Sequence, residues 1–119
     1  MAYARWIAVV GAVLLAAMAM AAVIPVGWQV RLGLHWLVEH FLAFFTVTLV
    51  FCLATKRPMT VAAVLLPLAV LIEAAQALTP DRTADLATAL FAAAGVASAA
   101  LLADLVITLR KRTAAAAES

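Results

Sequence analysis

Glu73 is the only charged residue between Met59 and Leu78, and His40 opens a run that carries no Asp, Glu, Lys or Arg until Lys56. A carboxylate or an imidazole in such a stretch is costly by several kcal/mol at lipid depth unless it is paired, so each asks for a reason. Both side chains are of the types that move protons in acid–base chemistry. Gln76 follows Glu73 by three positions and lies on nearly the same helix face. Arg82 and Asp85 come next in the chain, a cation able to contact an anion and a second carboxylate. Glu73 can pair with Arg82 or accept a hydrogen bond from His40, and Asp85 can take the other basic partner. His35 and Glu39, which share a face at i and i+4, are secondary candidates. Read this way, His40 and Glu73 are the acid–base pair, and Gln76, Arg82 and Asp85 are the binding groups.

Two other readings of the same residues stand beside that one. The group can be a structural polar clamp tying helices together, with no substrate. His35, Glu39, His40 and Glu73 are also all possible metal ligands. Adjacent Glu39 and His40 point roughly 100° apart on a helix, however, and no spacing here matches a zinc signature. No metal and no cofactor is expected.

The elements that must carry these residues follow from composition. Of the 119 residues 69% are hydrophobic, against only eight Lys or Arg and six Asp or Glu, which points to lipid as the main solvent. The apolar residues fall in four blocks, at about 6–26, 34–54, 60–78 and 85–109, each long enough to cross a hydrocarbon layer of about 30 Å. Residues 110–119 form a polar tail. Arg5 and the small residues around Met18 to Ala21 also suit a signal peptide, but the apolar run from Ile7 to Ile24 is longer than an ordinary signal core and predicts a retained helix. Pro25 and Gly27 end the first block, Lys56, Arg57 and Pro58 close the second, and Thr60 opens the third. Pro67 within the third predicts a modest kink. The expected fold is therefore all-α, four transmembrane helices in antiparallel up-down-up-down order, with no soluble domain.

Counting inward from the shared end, His40 and Glu73 each lie about six residues, or roughly 9 Å, inside their helices. Asp104 falls at the other end, where Lys56 or Arg57 is its expected partner. Arg5, Lys56, Arg57, Arg110, Lys111 and Arg112 lie on one side of the bilayer and only Arg31 and Arg82 on the other, which predicts cytoplasmic termini. Tyr3 and Trp6 at one boundary, with Trp28 and Trp36 at the other, agree with helices of this length. The bases form no folded patch, so nucleic acid is not an expected partner. Cys52 sits alone in an apolar run and reads as a small buried hydrophobe. Gly11, Ala12, Ala16 and Ala17 in the first helix, and Gly95 with Ala99 in the fourth, offer small-residue faces for close helix approach.

The run Glu73-Ala74-Ala75-Gln76, followed by Pro80, Arg82, Asp85 and then Gly95, resembles the VanZ-like family of small bacterial membrane proteins. His40-Phe41-Leu42-Ala43-Phe44 looks like that family's second-helix histidine motif, and the resemblance spans about residues 34–99. Carried over by position, the family's polar residues are His40, Glu73, Gln76, Arg82 and Asp85. Trp36, Thr88, Ala92 and Ala99 stand where similar proteins usually have Asp, Asp, Asn and Gly. The family's named member is associated with tolerance to the glycopeptide teicoplanin, so the resemblance implies a bacterial inner-membrane protein linked to the cell envelope. The expected function is an outward-facing polar pocket that binds or processes a lipid-linked or glycolipid headgroup, whether or not it is an enzyme. The alternative is a non-enzymatic assembly or accessory protein held by a polar clamp. Membrane lipid or a lipid-linked glycan is the expected partner, with a membrane protein as a further one.

Overall fold

The computed structural model describes residues 2–23, 36–76, 78 and 86–118. These form four helices: α1 (Ala2–Val23), α2 (Trp36–Thr55), α3 (Pro58–Gln76) and α4 (Leu86–Glu118). All four are long and apolar enough to cross a membrane. Large apolar side chains are exposed on every helix, among them Val13, Leu53, Val64, Leu71 and Leu101. A surface of that kind needs hydrocarbon around it. The chain is a multi-pass, all-α membrane bundle.

The connection between α2 and α3 shows how two apolar segments of similar composition become separate helices. Lys56 adopts a left-handed backbone, φ 57°. Its N–H donates to the carbonyl of Cys52 at 2.8 Å, which closes the end of α2 in the manner of a glycine cap. The Thr55 hydroxyl donates to the Phe51 carbonyl and accepts from the Arg57 N–H at 3.2 Å. Pro58 does not close α2, as the composition suggested. It is the first residue of α3, where its missing N–H has no helical partner to lose, and the Arg57 carbonyl accepts the first helical bond from Val61. Because a left-handed residue other than glycine is strained, Lys56→Gly should raise stability by about 0.5–1 kcal/mol. Chemical or thermal unfolding in detergent checks this, and a less stable variant would show that the lysine side chain outweighs its backbone cost.

Gly95 of α4 lies against the backbone of Phe41 and Phe45 in α2. Farther along, Leu49, Cys52, Leu53 and Lys56 share a groove with Leu102, Ala103, Val106, Ile107 and Arg110. Residue numbers rise together on both helices, so α2 and α4 are parallel. With α3 folded back from α2 by a two-residue turn, the order is up-down-up-down. The most extensive packing is that between α2 and α4, ahead of either sequential hairpin. Helix α1 packs on α2 and α3, and makes no contact with α4 among the described residues.

Small residues explain the α2–α4 seam. Ala92, Gly95, Val96, Ala99 and Ala100 are all buried, and Val96 and Ala99 are completely enclosed. In lipid the hydrophobic effect does not favour one helix partner over another, so close backbone approach and dispersion decide. The small-residue face expected on α1 does not pack in this way. Gly11 is buried, under the ring of Phe51, whereas Ala12, Ala16 and Ala17 are exposed. An alanine there provides no more attraction than lipid does unless a neighbour fits it.

Helix α4 continues unbroken through residues 110–118. At about 1.5 Å per residue its 33 residues extend some 50 Å, so its last turns project beyond a 30 Å hydrocarbon layer. Helix α3 likewise continues through Pro67, which lies on an exposed face. The surplus of bases at the Lys56 end predicts its orientation. A cytoplasm-specific reporter fused at residue 57 or at the C-terminus should be active, and one at residue 30 silent. The opposite pattern would invert the molecule.

Candidate functional site

The interior of the bundle is built from stripes in which every fourth residue points inward. On α3 the stripe is Val61, Leu65, Ala69 and Glu73, all buried. Glu73 is thus the last inward position of an apolar row and not a lipid-facing intruder, with 7% of its surface exposed. On α2 the corresponding row is His40, Phe44, Thr48 and Cys52, of which the last three are buried and His40 is half-buried. On α4 it is Thr88, Ala92, Val96 and Ala100, all buried. Each row therefore ends, toward the side away from Lys56, in a polar side chain.

The turn at Lys56 and Arg57 sets the depths. His40 precedes the last residue of α2, Thr55, by as many positions as Glu73 follows the first residue of α3, Pro58. Antiparallel helices joined by so short a turn must bring these two residues to one level, about 22 Å from it. Thr88 lies about one turn farther out, since Gly95 sits beside Phe41 and Phe45. Gln76 ends α3 three residues beyond Glu73, near the level of Thr88. Sequence reasoning noted Thr88 only as a departure from a family pattern and did not place it with the site. The spacing of four that links it to Ala92, Val96 and Ala100 was the available signal. Thr88 and Ala92, two of the departures, both point into the bundle.

Glu39, His40 and Glu73 all have interaction partners. Among the described residues no buried side-chain nitrogen or oxygen lacks a hydrogen bond. Glu39 is half-buried, next to His40. His35, Arg82 and Asp85 lie outside the described residues. No three His, Cys, Asp or Glu side chains gather among the described residues.

Thr48 is wholly buried in the middle of the bundle, yet its hydroxyl donates to the Phe44 carbonyl one turn back at 2.6 Å. That bond satisfies the donor within its own helix, so Thr48 is a packing residue. Cys52 is a buried free thiol in the apolar core.

Asp104 departs from its expected environment. It is exposed and makes no ion pair with Lys56 or Arg57. Its neighbour Ala103 lines the α2–α4 groove, and the next position on a helix turns about 100° away from that groove.

A four-helix, multi-pass membrane bundle with a buried carboxylate level with a histidine is the class that fold and site define. No protein-family profile, curated protein or solved structure matches the chain.

Proposed function

We propose that the end of the bundle formed by His40, Glu73, Gln76 and Thr88, together with Arg82 and Asp85, which fall between α3 and α4 in the sequence, engages the polar headgroup of a lipid-linked or glycolipid molecule of the bacterial cell envelope. The observation that carries this reading is the burial of Glu73 at the end of an otherwise apolar stripe, level with His40. An enclosed carboxylate at the level of an imidazole suits proton transfer or hydrogen bonding to sugar hydroxyls, and Arg82 suits an anionic linkage. The resemblance of Glu73-Ala74-Ala75-Gln76, Arg82 and Asp85 to the VanZ-like pattern supports a cell-envelope role. The expected placement is the bacterial inner membrane, with this end outward.

One observation favours a second reading. Glu73 is enclosed and already partnered, as a clamp joining α3 to its neighbours would be. Native mass spectrometry of detergent-purified protein separates the two. The headgroup reading expects a specific co-purifying lipid-linked or glycolipid species. Loss of every such species while one protein partner is always retained would favour an accessory protein held by a clamp.

A further inference from the structure

The end of the molecule opposite Glu73 carries a second feature, independent of the headgroup reading. There α2 and α4, in backbone contact at Gly95, leave a groove of about 380 Å³ between them. Its lining is largely apolar: the exposed Leu53, Leu102 and Val106, the half-buried Leu49 and Ala103, and the buried Cys52. Lys56, Arg110 and Lys111 complete the lining, and among the described residues no carboxylate lines it. Asp104, the nearest acid in sequence, is not among the lining residues.

Two aspects of this arrangement ask for an anion. Three like charges lining one groove repel each other, and a counter-charge held between them relieves that repulsion. One of the three, Lys56, also occupies a left-handed backbone position that glycine would fill without strain. The apolar part of the groove is equally specific. From Leu49 to Lys56, and from Leu102 to Arg110, it runs about 10–12 Å along the helices, enough for part of an acyl chain. Inorganic phosphate would use the cations and leave the apolar part empty. A phospholipid with a net negative headgroup uses both, and the surrounding leaflet holds it at high local concentration.

We propose that this groove is a binding site for an anionic phospholipid. An acyl chain lies against Leu49, Leu53, Leu102 and Val106, and the headgroup phosphate is held by Lys56, Arg110 and Lys111. The surplus of bases at this end assigns the site to the cytoplasmic leaflet, where basic pockets between helices meet anionic headgroups.

The test uses the full chain, delipidated in detergent and offered equimolar phosphatidylglycerol and phosphatidylcholine of identical chains, with retention read by native mass spectrometry. Phosphatidylglycerol should be retained over phosphatidylcholine by about tenfold or more, since each cation near the headgroup contributes up to about fivefold. The combined Lys56→Gln, Arg110→Gln and Lys111→Gln variant should lose that preference. A charge-matched control, Arg5→Gln with Arg57→Gln and Arg112→Gln, should keep it, as none of these three residues lines the groove. Ala103→Phe fills the apolar part and leaves all three cations, so it should lower retention of both lipids. Excess inorganic phosphate should not displace the bound lipid. Equal retention of the two lipids by the native chain, equal losses in the triple variant and its control, or unchanged retention in Ala103→Phe would each overturn the proposal. Thermal melts confirm that the charge variants fold, and these carry the test on their own if the phenylalanine variant does not.

Discussion

Gly95→Ala should destabilise the bundle by about 1–3 kcal/mol, and Gly95→Leu should prevent stable folding. A Cβ at residue 95 would stand 2.5 Å from the Phe41 carbonyl oxygen and 3.1 Å from the Phe45 nitrogen. These are backbone atoms of a neighbouring helix, so no side-chain rotation relieves the overlap and α2 and α4 must separate. Separation at this point opens the most extensive interface in the molecule. Gly11 provides the contrast. A Cβ there meets only the ring of Phe51, at 3.1–3.2 Å, and a ring can shift by a few tenths of an ångström. Gly11→Ala should therefore cost under about 1 kcal/mol. Thermal or detergent-induced unfolding of the two alanine variants, side by side, measures the difference. If Gly95→Ala melts with the parent protein, the α2–α4 contact is not what holds the bundle together.

Glu73→Gln should leave the folded bundle nearly as stable as the parent, within about 1 kcal/mol, because glutamine keeps the shape and one acceptor oxygen and membrane polar contacts are individually modest. Function should respond much more strongly. If Glu73 transfers a proton, turnover of an envelope substrate should fall about 10²-fold or more. If it only binds, the co-purifying headgroup species should be lost. A variant that folds and retains both the co-purifying lipid-linked or glycolipid species and cellular activity would refute the headgroup reading and leave the clamp. Glu73→Leu extends the comparison. A clamp predicts a larger stability loss with leucine than with glutamine, since leucine leaves the carboxylate's partners unsatisfied inside the bundle.

The two predictions differ in how far the sequence alone could reach them. The depth of Glu73 follows from counting residues to Pro58 and multiplying by the helical rise, and His40 follows by the same count from Thr55. A hydrophobic run around a carboxylate is visible in one dimension, and so are the number of spans and the polarity of the ends. That Glu73 faces inward was also accessible, once Val61, Leu65 and Ala69 are read as its row. Thr88 could have been placed in the same way from Ala92, Val96 and Ala100. The role of Pro58 as the opening residue of α3 depended on the cap at Lys56, whose left-handed backbone is atypical for lysine.

By its sequence alone this chain is determined to be a four-span membrane protein, with a carboxylate and an imidazole at one level and most of its bases at the opposite end. Those properties arise from each segment's own exchange between water and hydrocarbon, and from the helical rise, neither of which depends on a neighbour. Only the tertiary structure decided that α4 is the principal partner of α2, that Gly95 and Ala99 are packing residues while Ala12, Ala16 and Ala17 are exposed, and that Asp104 stands apart from Lys56 and Arg57. The physical reason is that four similarly apolar helices have nearly the same affinity for lipid as for each other. Partner choice then rests on the fit of one surface to another, such as the seat of Gly95 on the Phe41 backbone, and complementarity of that kind belongs to a pair of helices and to neither alone.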